Sequence, residues 1–190
     1  MDTQVKSKKR VTDFGEVNTS QREVNAMLDL VKQETERLDS RFLEPACGDG
    51  NFLIEVLNRK LAILVKKSKK NQYEFERNSV VVIGSIYGVD ILMDNTKSAR
   101  KRLFERYHEV YKKYFKEYLN ENLVRSIQFI LEKNIIHGDA LTLKHVNSDN
   151  PVIFSEWAVV NDKLKRREFT FSDLLAYAPF EEGTLFSDFG

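Results

Sequence analysis

The feature that most constrains this chain is a glycine turn between two apolar runs, Phe42-Leu43-Glu44-Pro45-Ala46-Cys47-Gly48-Asp49-Gly50-Asn51-Phe52. Phe42 and Leu43 lead in. Beyond the turn Phe52, Leu53, Val56 and Leu57 recur at helical spacing, so the order reads strand, turn, helix. Glycine adds no side chain and accepts dihedrals closed to other residues, which lets a ligand approach backbone amides closely. The following helix opens with N–H groups that have no intrahelical partner. A glycine pair alone is weak evidence, because many strand–helix turns need glycine for geometry only. The full string is more specific.

The rest of the chain is compatible with one α/β domain. Its 190 residues leave room for a substantial core. Thirty basic and 29 acidic side chains give a net charge of +1, so any nucleic-acid contact must come from a local basic face. One cysteine excludes an internal disulfide and does not make a zinc cluster, and no metal site is expected. No secretory leader or membrane-length apolar run is visible, which points to a cytoplasmic protein without a membrane partner.

Taken in order, residues 6–10 form a basic arm, read as solvated. Val24, Met27, Leu28, Val31 and Leu38 mark the apolar stripe of a first helix, which Thr19 or Ser20 is placed to cap. A crossover helix is expected from Asn51 to about Leu64, with Phe52, Leu53, Val56, Leu57, Leu61 and Leu64 on the sheet. Lys66-Lys67-Ser68-Lys69-Lys70 and the residues to Asn78 read as a solvated loop or, alternatively, a phosphate-contacting insertion. A second strand follows over residues 80–89 and ends at Asp90. An acid there is placed to accept hydrogen bonds from ribose hydroxyls, and a helix cap is the alternative. Such an acid usually follows the glycine turn by ~20 residues; the basic insertion accounts for the longer gap. Residues 96–133 read as helical. Tyr107, Tyr111, Tyr114, Phe115 and Tyr118 there suit core and rim packing better than base stacking. Asn134-Ile135-Ile136-His137-Gly138-Asp139-Ala140-Leu141 forms a third strand with a polar end. His137 reads as a strand residue and Asp139 alternatively as a turn acid.

The glycine string resembles the cofactor loop of N6-adenine DNA methyltransferases, which runs close to Leu-Glu-Pro-Ala-Cys-Gly-Asp-Gly-Asn-Phe. The resemblance implies a Rossmann-like sheet that binds S-adenosyl-L-methionine, with Glu44, Pro45, Ala46, Cys47, Gly48, Asp49, Gly50 and Asn51 forming the loop. Phe14-Gly15-Glu16-Val17-Asn18-Thr19-Ser20 is similar to the family's N-terminal pocket motif, although Asn18 and Ser20 replace the usual aromatic and proline. Backbone groups and Thr19 would hold the methionine end of the cofactor. Asp90, with Ile91 beside it, stands where the family has its ribose acid. Asp139 would read the adenine amine, with Ala140 offering a backbone N–H.

The resemblance then breaks. The family places Asn-Pro-Pro-Tyr after its fourth strand, where it holds the target adenine. This chain has prolines only at 45, 151 and 179, none adjacent. Asn150-Pro151 precedes the expected fourth strand Val152-Ile153-Phe154, which would set it at the end opposite the cofactor. Ser155-Glu156-Trp157 follows that strand, and Glu156 and Trp157 are weak substitutes as catalytic residues. A hairpin is expected from Val159-Val160 and residues 163–167, with Phe169 and Phe171 on one face. A short helix over 174–177 and a loop at 178–190 complete the chain. The expected organisation is an arm with the N-terminal motif at 1–19, a cofactor domain at 20–160 and a hairpin with tail at 161–190, the sheet truncated after strand four or five. The expected function is a cofactor-binding, catalytically incomplete subunit or remnant of a restriction-modification system. It would associate with a larger methylase or restriction subunit and contact DNA weakly through charge. The alternative is an active methyltransferase with an atypical acceptor site, or one completed by a second chain.

Overall fold

The computed structural model describes residues 19–161, 163–170 and 173. The basic arm at 6–10, the motif residues 14–18, Phe171, the expected helix at 174–177 and the loop at 178–190 lie outside the described residues.

Helix α1 (Gln21–Leu30) begins at Ser20, whose hydroxyl and backbone exchange hydrogen bonds with Glu23 in a capping box. Val24 and Leu28 are buried, whereas Met27 and Val31 are exposed, so the apolar stripe is narrower than its spacing suggests. A single turn, α2 (Lys32–Thr35), leads into β1 (Phe42–Glu44). The glycine turn then opens α3 (Asn51–Ser68), which buries Leu53, Val56, Leu57, Leu61 and Leu64 as expected.

Two expectations fail between α3 and the second strand. Lys66, Lys67 and Ser68 belong to the last turn of α3, and residues 72–84 form a further helix, α4 (Gln72–Gly84). The Val80-Val81-Val82-Ile83 run is therefore helical, and β2 is only Ile86–Asp90. β-Branched residues carry a small helix penalty that packing readily overrides. Here Phe75, Ser79, Val82 and Ile83 are buried at helical spacing, and the Asn71 side chain caps the first turn by accepting from the Glu74 N–H. The long gap before Asp90 is a second helix, not a loop.

Helix α5 (Met93–Phe115) and helix α6 (Glu121–Asn134) lead to β3 (Ile135–Asp139). Their expected inner residues are buried: Ala99, Leu103, Tyr107, Val110 and Tyr111 on α5, and Leu123, Ile127, Ile130 and Leu131 on α6. Strands β1, β2 and β3 are parallel, and β4 (Lys144–His145) adds antiparallel to β3, giving the order β1-β2-β3-β4. Along β2, Ile86 faces the helical layer, while Tyr87 and Val89 join a second cluster with Ile136, Val152, Phe154 and Phe169.

The expected fourth strand is not part of this sheet. β5 (Ile153–Val160) pairs along its whole length with β6 (Lys163–Thr170) in a separate two-stranded hairpin that straddles residue 161. The hairpin starts earlier than its turn residues suggest because Phe154 and Phe169 cover Tyr87, with ring centroids 5.4 and 6.3 Å away. Among the described residues no helix is long and apolar enough to cross a membrane.

The entry into β1 is held by a buried cation. Lys60 on α3 is fully enclosed and donates to the carbonyls of Arg37, Leu38 and Ser40 at 2.9, 3.0 and 2.6 Å. Burial lowers its pKa to about 8 from the usual 10.5. The unfolded chain thus binds the proton more tightly, and stability from this group rises with pH between those values. Lys60→Met should cost about 1–3 kcal/mol by leaving buried carbonyls unpaired. Denaturant titrations should show the wild type gaining stability relative to the variant as pH is raised through that window.

Candidate functional site

The glycine turn is fixed from below by β2. Cys47 N–H donates to the Val89 carbonyl at 2.9 Å, Gly48 N–H to Asp90 Oδ2 at 2.8 Å, and Gly50 N–H to the Cys47 carbonyl at 2.9 Å. Gly48 and Gly50 have φ of +53° and +92°, which is why glycine stands at both places. Gly50 is the N-cap of α3 and no side chain caps that helix, so its first N–H groups are presented at the turn. Cys47 is buried against Gly88, and burial pushes its thiol far above the normal range; it is a packing residue and not a nucleophile.

Asp90 is buried at the carboxyl end of β2 and does more than the sequence suggests. Besides holding Gly48, its Oδ1 accepts from Leu92 N–H at 2.8 Å and from the Asn95 side-chain amide at 3.2 Å, so it also anchors the start of α5. A carboxylate offers about four acceptor positions, which leaves it capacity for one further donor. Asp139, at the end of β3, accepts from Leu141 N–H at 2.8 Å through Oδ1, the turn-acid arrangement, and keeps Oδ2 for another partner. Ile91 is exposed beside Asp90; Ala140 is half-buried and Leu141 almost fully exposed beside Asp139. His137 Nε2 lies 3.0 Å from the Ile91 carbonyl and joins these two loops. Glu44 ends β1 half-buried, with burial raising its carboxyl pKa, and Pro45 and Ala46 are exposed. Thr19 is exposed next to the α1 cap, and Gln21 bonds Glu55 at 3.1 Å, which ties this segment to the early part of α3. The turn and both acids thus share the carboxyl ends of adjacent parallel strands.

One residue of this site was not singled out in the sequence. Arg102 on α5 donates to the Asp49 carbonyl at 2.7 Å and to the Asn51 side-chain oxygen at 2.8 Å, and pairs with the Asp49 carboxylate at 3.0 Å. Ala99, one turn earlier, sits where a Gly50 Cβ would be 3.1 Å from its own Cβ. Asn95, Ala99 and Arg102 share one stripe at i, i+4 and i+7. That spacing was the available signal, hidden among many basic residues.

Glu156 and Trp157 lie elsewhere. β5 runs opposite to the parallel strands, so these residues sit by the amino ends of β2 and β3. Trp157 packs on Gly84, meets Phe129 edge-on at 5.7 Å and donates to the Asn134 side chain at 3.0 Å, and Glu156 pairs with Arg41. They line a cleft of about 340 Å³ with Arg41, Tyr87 and Arg167, a strand length away from the glycine turn. The same reversal corrects the position of Asn150-Pro151. Pro151 bridges Lys144, which pairs with Asp139, so the dipeptide is at the cofactor end of the sheet. It lies beyond β4, however, four strand spacings or roughly 19 Å from β1. The basic residues 66–70 and 163–167 are also remote from the turn. The former end α3, roughly 27 Å along its axis; the latter lie in β6, where Arg166 and Arg167 pair with Trp157 and Glu156. Among the described residues no group of acids, histidines and cysteine could hold a metal ion.

The turn's tolerance can be tested by alanine. Gly48→Ala meets no atom within 4 Å and should cost only the left-handed backbone penalty, about 1–2 kcal/mol. Gly50→Ala adds the collision with Ala99 and should destabilise more, by thermal or denaturant unfolding of the two variants side by side.

A comparison with protein-family models matches residues 16–153 to the DNA-methyltransferase domain of MmeI. No curated protein and no solved structure matches the chain. The matched span contains the glycine turn, both strand-end acids and all four strands of the main sheet. With that span covering well over half of the sequence, the chain belongs to the MmeI DNA-methyltransferase domain family and is a methyltransferase-like protein of the restriction-modification kind.

Proposed function

We propose that the chain binds S-adenosyl-L-methionine and is catalytically incomplete alone, acting as a subunit or remnant of a DNA restriction-modification system. The observation that carries this reading is the convergence of the glycine turn, Asp90 and Asp139 at the carboxyl ends of β1, β2 and β3. That is where open α/β sheets take their ligands. The donor set suits the cofactor: two carboxylates with unused acceptor capacity for ribose hydroxyls and the adenine amine, exposed Ile91 and Leu141 for apolar contact, and backbone N–H groups at the uncapped start of α3. The N-terminal motif ending at Thr19 and Ser20 would take the methionine end. When bound, the cofactor supplies an electrophilic methyl group.

Incompleteness rests on what surrounds the turn. The chain has no Asn-Pro-Pro-Tyr, Asn150-Pro151 lies at the far edge of the sheet, and Glu156 and Trp157 lie at its other end. Methyl transfer depends on positioning the acceptor against the methyl group, and none of these residues is placed to do so. The alternative is an active methyltransferase with an atypical acceptor site, or one completed by a second chain. The basic segments outside the site would give at most weak, salt-sensitive DNA binding.

Calorimetry with S-adenosylmethionine and S-adenosylhomocysteine should show binding. Asp139→Ala should weaken it by about 1–3 kcal/mol with little loss of stability. Asp90→Ala should lose affinity and stability together, because that carboxylate also holds Gly48 and Leu92. Radiolabelled methyl transfer to duplex DNA should stay at background for this protein alone. No heat of binding by the wild type would remove the cofactor reading, and methylation of DNA adenine by the isolated chain would remove the incompleteness.

A further inference from the structure

We infer that Arg102 is a positioning residue for the cofactor turn, acting by withdrawing the Asp49 carboxylate from the start of α3; the inference rests on the cofactor reading above. Asp49 directly precedes Gly50, the N-cap of α3. A short aspartate side chain readily bonds neighbouring backbone N–H groups, and a carboxylate at a helix start is favoured by the dipole. Left alone, the Asp49 side chain would fold back and occupy the N–H groups that a ligand must reach. Those N–H groups are the part of the turn suited to an anionic group such as an amino-acid carboxylate.

The geometry opposes that collapse at three points. Arg102 holds the Asp49 carboxylate at 3.0 Å, its carbonyl at 2.7 Å and the Asn51 side-chain oxygen at 2.8 Å, so one planar guanidinium fixes the residues on both sides of Gly50. Asn51 is the first residue of α3 and a second potential cap competitor, and it is turned towards α5 by the same group. Ala99, on the same stripe, packs where Gly50 has no side chain, and Asn95 meets Asp90. Helix α5 thus sets the strand-end acid at its first turn and the open helix start two turns later. In this reading Arg102 holds the Asp49 carboxylate away from the ligand.

The test is a cycle of variants read by S-adenosylhomocysteine calorimetry, thermal unfolding and hydrogen exchange at residues 48–52. Arg102→Gln should weaken binding about tenfold or more, as for loss of a charged hydrogen-bond network, and speed exchange of the turn amides. Arg102→Lys should fall between, since it can reach the carboxylate but cannot span to Asn51. Asp49→Ala alone completes the cycle and should bind more tightly than Arg102→Gln. The decisive variant is Asp49→Ala/Arg102→Gln, which should bind more tightly than Arg102→Gln because the competing carboxylate is gone. A merely structural ion pair predicts no such recovery. A double variant as weak as Arg102→Gln, or an Arg102→Gln protein with unchanged affinity and exchange, overturns the inference. If the wild type fails to bind, the cofactor reading falls, and unchanged turn exchange in Arg102→Gln would separately show that Arg102 does not order the turn.

Discussion

The Asp90 carboxylate is the interaction on which the rest of the site depends. It is buried, and it joins the glycine turn, distant in sequence, through Gly48 to the exit of β2 through Leu92 and the first turn of α5 through Asn95. A buried carboxylate without donors would be costly, so each N–H that meets it is fixed in place. The turn in turn sets where α3 begins, and Lys60, two and a half turns along α3, gathers the carbonyls that lead into β1. Strand, turn and helix are therefore clamped at both ends by a buried charge, an anion at the carboxyl end of the sheet and a cation at its amino end.

Much of this was legible because it rests on local chemistry. The glycine turn needs positive φ, and only glycine takes that without strain. The inner faces of α3, α5 and α6 follow helical spacing, and their residues are buried as that spacing implies. Three strands ending in Glu44, Asp90 and Asp139 follow from short apolar runs that stop at acids.

What was not legible depended on tertiary context. Val80-Val81-Val82-Ile83 reads as strand by composition and is a helix because Phe75, Ser79, Val82 and Ile83 bury together against the core. The strand through Phe154 was recognisable as a strand, but its direction and sheet were not, since its aromatic contacts with Tyr87 and Phe169 come from distant parts of the chain. That one reversal moves Glu156 and Trp157 to the amino end of the sheet and Asn150-Pro151 to the carboxyl end. Arg102 stayed hidden for a different reason: a charged residue on a long helix has no distinctive pattern until its partners in the turn are placed beside it.

The sheet order leaves the glycine turn beside an edge strand among the described residues. Both crossovers step the same way, from β1 to β2 and from β2 to β3, and among the described residues β1 pairs only with β2. A ligand crevice in an open α/β sheet forms where neighbouring connections diverge, and the described strands contain no such point. The glycine turn consequently has a wall on the Asp90 side and, among the described residues, no strand on the other. β1 itself is only three residues long, preceded by Arg41 and followed by Pro45. A short edge flanked by a charge and a proline resists indiscriminate pairing with other chains. Any strand pairing there would gain few backbone hydrogen bonds, so side chains and not the three-residue edge would have to decide what docks beside the turn.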